Sequence, residues 1–202
     1  MDYKKKYLKY KKKYSQLKKQ TGGLDCSELT LFPVGKKKQK MDNKMIKKKK
    51  MRHFTDDEIK NYKLKQNIIE KSECYLSTMI NDLEPALYMY VAVYNEGKLD
   101  IIINPNILPS DESSKKNIIF PLVINHSNLY KGEPTNCGGL IKINEKKKIS
   151  YIDNQSGHYS PDFKSLKCIV KLLHQLYPNC IEPDLVIMNW DHDIITLSDL
   201  LE

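Results

Sequence analysis

The 202-residue chain is long enough for one domain and a tail, and its charge is divided unevenly between them. Of its 34 Lys and Arg, 19 lie in residues 1–53 against four acids, which leaves residues 54–202 with 15 basic and 21 acidic residues. Five widely spaced cysteines without a C-x-x-C pair argue against a disulfide framework and a structural zinc site. We expect reduced cysteines in a reducing compartment, no secretory signal and no transmembrane segment.

Residues 1–23 are rich in lysine and tyrosine, and their apolar side chains repeat as in a heptad. The repeat is Tyr3, Tyr7, Tyr10, Tyr14 and Leu17. Its alternating spacing of four and three residues predicts an amphipathic helix, with two glycines at its end. Three interpretations stay open: a solvated lysine-rich helix, a helix lying on an acidic surface, and a coiled-coil seam for a helix partner or self-association.

Residues 24–53 are predicted to be a basic, low-complexity linker. Dense like charges over 36–53 repel one another and resist folding. The abundance of lysine and near absence of arginine favour phosphate contacts over base readout, so we expect residues 1–53 to contact nucleic acid or another polyanion. The lysine runs also resemble a nuclear-import signal. The candidate nucleic-acid-binding residues are Lys36, Lys37, Lys38, Lys47, Lys48, Lys49 and Lys50.

Residues 54–202 are predicted to form an α+β domain, with an antiparallel sheet of about five strands and a packed C-terminal helix. The basic tail before it is expected to be helical or disordered. Thr55 and Glu58 have the spacing of a capping box, and an apolar stripe extends this first helix to about Ser72. Two hairpins follow, one around Asn95-Glu96-Gly97-Lys98 and one in CGGLIKINEKKKISYIDN, with a strand in IIFPLVINHS between them.

The stretch DNQSGHYSPDF, residues 153–163, predicts a tight turn that leads into a long helix. Gly157 is expected to supply a positive φ, Ser160 the N-cap and Pro161 the first helical position. The apolar face of this helix runs over 161–177. A buried strand in DLVIMNW and a short helix in ITLSDLLE complete the predicted elements.

Residues 123–173 resemble a module found in plant IQ-motif calmodulin-binding proteins and in bacterial effector-like proteins. That module reads H-S-S, a small-residue patch ending in A-G-E or A-G-R, a hairpin, and then S-G-H-Y-x-P before a helix. The matching residues are His126, Ser127, Gly132, Gly138 or Gly139, Ser156, Gly157, His158, Tyr159 and Pro161. Asn128 and Leu140 depart from the pattern, and no I-Q-x-x-x-R-G helix is visible, so calmodulin binding does not carry over.

The opening YKKKYLKYKKKYSQLKKQTGG resembles a tag at the start of many otherwise unrelated proteins of Mimivirus-like giant viruses. The lysine, asparagine and isoleucine content elsewhere fits an AT-rich viral genome. This resemblance implies an uncharacterised giant-virus protein located in the host cytoplasm or the virion. It implies nothing about chemistry.

Two histidines flank the second hairpin, and each adjoins a hydroxyl residue. If the strand ends meet at one sheet edge, His126, Ser127, His158 and Tyr159 are candidate catalytic residues, with Ser127 or Cys137 as nucleophile. The competing interpretation is structural, with the motif residues serving only to shape a turn. Those motif residues are Gly138, Gly139, Ser156, Gly157 and Pro161. No acid lies at an obvious distance to orient either histidine, although Asp153 and Asp162 are candidates.

Two function hypotheses follow. The first is a non-enzymatic giant-virus accessory or virion-associated protein whose tail contacts polyanions or partner helices. The second is an effector-type transferase or hydrolase with a His/Ser/Tyr site at the sheet edge. No cofactor or metal is expected, because an isolated Asp191-His192-Asp193 is more typical of a solvated turn than of a cation site.

Overall fold

The computed structural model describes residues 26, 29–47, 52–70, 73–78, 83–104 and 125–202. The tyrosine heptad, residues 118–124 of the predicted third strand, and Lys48, Lys49 and Lys50 lie outside these described residues. The helices are α1 (Lys36–Lys47), α2 (Asp56–Asn61), α3 (His126–Leu129), α4 (Phe163–Leu176) and α5 (Leu197–Leu201). The strands are β1 (Lys65–Glu70), β2 (Glu73–Ser77), β3 (Ala86–Asn95), β4 (Lys98–Ile103), β5 (Cys137–Ile143), β6 (Ile149–Asp153), β7 (Ile181–Met188) and β8 (Ile194–Thr196).

The main sheet has six strands in the order β4-β3-β5-β6-β7-β8, and β1 pairs with β2 in a separate hairpin. The α+β class is confirmed, but the sheet is mixed rather than purely antiparallel, because β6 and β7 are parallel. Helix α4 lies between these two strands in the chain, and such a crossover returns the chain to the sheet in its original direction. The other neighbouring strands are antiparallel.

Both faces of the sheet are covered, because side chains along β3 and β4 alternate between two apolar clusters. Tyr90 and Ile101 point into the larger cluster, which contains the buried face of α4. Val91 and Ile102 point into a smaller cluster on the other face. The smaller cluster comprises Val34, Phe54, Ile59, Val91, Ile102, Leu129 and Tyr159.

Part of the predicted linker packs into the smaller apolar cluster or beside it. Phe32 forms a β-bridge with Thr135, and Val34 is buried in the smaller cluster. Residues 36–47 then form α1 rather than a repelled coil. The linker prediction for 24–53 is therefore wrong over residues 32–47, because lysine is a good helix former and its charge can stay in solvent.

A disulfide also ties the N-terminal segment to the body, between Cys26 and Cys168 of α4. The expectation that all cysteines are reduced is wrong for this pair and for Cys180, which is also disulfide-bonded. The odd number of cysteines and their wide spacing in the sequence do not reveal which sulfurs meet in the folded chain. Cys137 is a free, buried cysteine within the described part of the chain. Cysteine spacing therefore gives no support to a reducing compartment.

The predicted helices and hairpins of residues 54–202 are present in the structure, some of them with different bounds or caps. The capping box of Thr55 and Glu58 is confirmed, but α2 ends at Asn61 and the chain turns into the β1–β2 hairpin instead of continuing to Ser72. The helix predicted over 161–177 is α4, whose N-cap is Asp162 rather than Ser160. Both predicted hairpins are confirmed as β3–β4 and β5–β6. None of the helices in the described ranges is both long and apolar enough to span a bilayer.

Candidate functional site

Helix α1 carries a buried carboxylate on one side and lysines on the other. The side chain of Asp42 is buried, and those of Met45 and Ile46 are half-buried. At about 100° per residue, five exposed lysines fall within an arc of about 100° opposite Asp42. These five residues, which we call the lysine face, are Lys36, Lys37, Lys40, Lys44 and Lys47.

Asp42 joins α1 to the two motif segments singled out in the sequence. The Ser127 hydroxyl donates to Asp42 Oδ2 at 2.6 Å, and His158 Nε2 lies 3.5 Å from Asp42 Oδ1. The Gly35 amide donates to the His158 carbonyl at 3.1 Å and so fixes the start of α1 to the same turn. Asp42, and not Asp153 or Asp162, is therefore the acid at this histidine. Asp42 is also the only acid between Glu28 and Asp56, and this isolation in a lysine-rich run could have pointed to it.

His126 belongs to α3 rather than to a strand, and it is buried against the sheet. Its Nε2 lies 3.0 Å from the Gly139 carbonyl oxygen. The pKa of His126 is lowered to about 4, mainly by burial and also by the charge of His158, against the opposing effect of the hydrogen bond to Gly139. At neutral pH the imidazole is uncharged, and its Nε2–H donates to that carbonyl. His126 thus acts as a packed structural donor at this pH.

Acidification is expected to weaken the domain through His126. A pKa of about 4 in the folded chain, against about 6.5 in the unfolded chain, means that protons bind the unfolded state preferentially as pH falls through this window. Between pH 7.5 and pH 5 this costs about 2 kcal/mol of unfolding free energy. Urea titrations at both pH values measure it. His126→Asn keeps an amide donor but does not titrate, so its loss should be smaller by that amount. An equal loss in both proteins would contradict the assignment.

The pKa of His158 is governed by burial, by Asp42 and by a lysine of α1. Burial lowers the pKa, the Asp42 carboxylate raises it, and the charge of Lys38 lowers it again. Lys38 is exposed, but the helical geometry places it on the flank towards Asp42 and outside the lysine face. One predicted nucleic-acid-binding residue thus contributes to the electrostatics of His158.

The candidate nucleophiles lack the partners that nucleophilic catalysis needs. Ser127 donates its hydroxyl proton to a carboxylate and not to an imidazole, so the described hydrogen bonds contain no Ser–His pair. Cys137 is fully buried, and burial raises the pKa of its thiol to about 12. The Tyr90 hydroxyl, 3.4 Å from Cys137 Sγ, shares this enclosed environment. Neither side chain is poised as an activated nucleophile.

Tyr159 is buried in the smaller apolar cluster beside Val34 and Leu129. Its hydroxyl has no hydrogen-bond partner among the described residues. Burial raises the pKa of Tyr159, and the Asp42 carboxylate raises it further. The phenol therefore stays protonated at neutral pH. Of the four predicted catalytic residues, Ser127 and His158 contact Asp42 of α1, His126 contacts Gly139 of β5, and Tyr159 is buried in the smaller cluster.

The glycines and the turn have different structural roles. A Cβ at Gly139 would collide with the backbone of Asp153, whereas one at Gly157 would meet nothing within 4 Å. Gly157 was expected to have a positive φ, but it does not. Ser160 adopts the positive φ instead, at 48°.

Buried hydrogen bonds hold the rest of the motif. The Ser156 carbonyl accepts from the Ser160 amide at 2.7 Å, and the Pro161 carbonyl accepts from Asn154 Nδ2 at 2.8 Å. A Cβ at Gly138 would lie 3.4 Å from the Tyr90 carbonyl oxygen and 3.5 Å from Ser156 Cβ. The hydrogen bonds of the S-G-H-Y-x-P segment are therefore internal to the turn, and the close approach of Gly138 to Ser156 packs this turn against β5.

The second cluster considered in the sequence, Asp191-His192-Asp193, forms a turn between β7 and β8. Asn189 and Asp193 close it by side-chain and backbone hydrogen bonds of 2.8 to 3.0 Å. Within the described ranges, no group of three or more His, Cys, Asp or Glu residues could hold a metal ion.

Comparison of the chain with protein-family models, curated proteins and solved structures gave no match. Both the module resemblance over 123–173 and the giant-virus tag thus remain predictions.

Proposed function

We propose that this protein is a non-enzymatic giant-virus accessory or virion-associated protein that binds the phosphate backbone of nucleic acid through the lysine face of α1. The observation that carries the proposal is the buried Asp42, which fixes the orientation of the helix and directs five lysines to solvent. A docked helix presents these charges together, so little conformational entropy is lost when they bind.

The spacing of the charges also suits an extended polyanion. Lys36, Lys40, Lys44 and Lys47 follow one another by three or four residues, so they form a stripe about 16 Å long at 1.5 Å per residue. Lysine contacts phosphate as a point charge and does not read base edges as a bidentate arginine does. We therefore expect binding without sequence preference. Lys40 and Lys44, which sequence reasoning did not select, belong to this stripe.

Replacing the five lysines of the lysine face with glutamine is expected to weaken nucleic-acid binding by at least 100-fold at low salt. Each phosphate contact contributes about −0.9 to the slope of log K against log salt on duplex DNA and about −0.7 on a single strand. The variant should therefore lose about 4.5 units of that slope on duplex DNA. Fluorescence anisotropy with random-sequence oligonucleotides at several salt concentrations measures both quantities.

A matched control removes the same charge from the body of the domain. Its five exposed lysines, to be replaced by glutamine, are Lys60, Lys98, Lys142, Lys146 and Lys164. The control should retain most of the affinity and slope, because these residues do not share one helix face. If both variants lost the same affinity and salt slope, net charge alone would explain the binding, and the proposal would be rejected.

The rival hypothesis of an effector-type enzyme receives less support. Ser127, His158 and Asp42 are in contact, but the hydroxyl donates to the carboxylate and His126 donates to a backbone carbonyl. These bonds are better explained as a latch that holds α1 in place than as a set of catalytic residues.

A further inference from the structure

The turn between β7 and β8 exposes two large apolar side chains at the edge of the sheet. Trp190 has 54% of its surface exposed and Ile194 has 62%. Ile194 pairs with Met188 across the hairpin, and β8 is the last strand of the sheet order. Tryptophan is enriched among the residues that contribute most to binding at protein interfaces.

The C-terminal stretch that contains this turn is acidic. Lysine and arginine are absent from residues 172–202, although they make up 34 of the 202 residues of the chain. The acids of this stretch are Glu182, Asp184, Asp191, Asp193, Asp199 and Glu202. Asp191 and Asp193 are exposed in the turn itself, beside Trp190. A partner for this surface must combine positive charge with apolar or aromatic side chains.

We propose that this turn binds residues 3–17 of a second copy of the chain. That segment contains seven lysines, no acid, and the tyrosines and Leu17 of the heptad. Its lysines complement the acidic turn, and its rings can stack on and pack against the exposed surfaces of Trp190 and Ile194. The contact is head-to-tail, since the two surfaces differ. It goes beyond the proposed function, because no residue of the lysine face takes part.

Trp190 is the only tryptophan of the chain, so its fluorescence reports on this surface directly. Adding a synthetic peptide of residues 3–17 to the full chain at low salt should shift the emission to shorter wavelength in a saturable manner. The same peptide with its four tyrosines replaced by serine should bind at least 10-fold more weakly. Raising the salt to about 0.5 M should reverse the shift, because exposed charges are screened.

Sedimentation velocity of the full chain should show association that grows with concentration at low salt. Trp190→Ser should abolish it, and so should the tyrosine-to-serine replacement within the full chain. Leu176→Ser removes another exposed apolar side chain and should change nothing. The glutamine variant of the lysine face should associate normally even if it no longer binds nucleic acid. A chain that stays monomeric up to about 100 μM, or association that survives the tyrosine replacement, would overturn the proposal.

Discussion

Gly139→Ala is expected to destabilise the domain by about 3 kcal/mol or more, as over-packing at a rigid site does. A Cβ at this position would lie 2.8 Å from the carbonyl carbon of Asp153 and closer still to two of its oxygens. Asp153 cannot retreat easily. Its Oδ1 accepts from the Leu140 and Gln155 amides at 2.7 and 2.9 Å, and its carbonyl accepts from the Tyr90 hydroxyl at 2.8 Å.

Gly157→Ala is the matched control, because a Cβ there meets nothing within 4 Å and the backbone is not in the left-handed region. We expect it to change the unfolding free energy by less than about 1 kcal/mol. Urea denaturation of both variants gives the comparison. Equal stability of the two alanine variants would mean that β5 and β6 do not approach as closely as described.

The sequence identified both glycines as motif residues but could not rank them. A resemblance shows which positions match, whereas the ranking depends on the approach of Asp153, fourteen residues away in sequence, across the β5–β6 pair. Strand periodicity and turn residues did predict this hairpin and the β3–β4 hairpin. In the latter, Glu96 and Gly97 adopt φ values of 49° and 80°, as a two-residue turn requires.

The predictions that failed depended on contacts distant in sequence. The charge density over 36–53 predicted a linker, because like charges repel. In the structure residues 36–47 form α1, with Asp42 buried and the lysines in solvent, where salt screens their repulsion. Asp42 reaches Ser127 across 85 residues, and such a contact leaves no local pattern. The parallel pairing of β6 and β7 likewise depends on the path of α4 rather than on the composition of either strand.

For the candidate site, too, the sequence predicted the local motifs but not the contact that is distant in sequence. The sequence located the segments of His126 and His158, and the contacts of Asp42 with Ser127 and His158 show that the folded chain brings these two segments together. It did not supply the acid, which comes from the segment interpreted as a linker. This acid changes the expected chemistry of the site. The Ser127 hydroxyl and the His158 imidazole both contact the Asp42 carboxylate, and these contacts hold α1 on the domain.

Replacing Cys26 and Cys168 together with serine is expected to cost about 4 to 5 kcal/mol of unfolding free energy. The bond closes a loop of 142 residues, and the chain-entropy model gives about 5 kcal/mol for a loop of that size. The reason is that the unfolded chain regains the freedom that the cross-link removes. Chemical denaturation of the oxidised wild type and of the double variant measures the difference.

Reducing agent is not a substitute for this variant, because Cys180 is also disulfide-bonded and would be reduced at the same time. Cys137→Ala serves as the control, since it alters a buried free cysteine without opening a cross-link, and should cost about 1 kcal/mol. The experiment also tests whether the N-terminal segment belongs to the domain. If that segment were an independent linker, the cross-link would also close a flexible loop in the folded state, and the double variant would lose much less than about 4 kcal/mol. Such a small loss would contradict the docking of α1 on the domain.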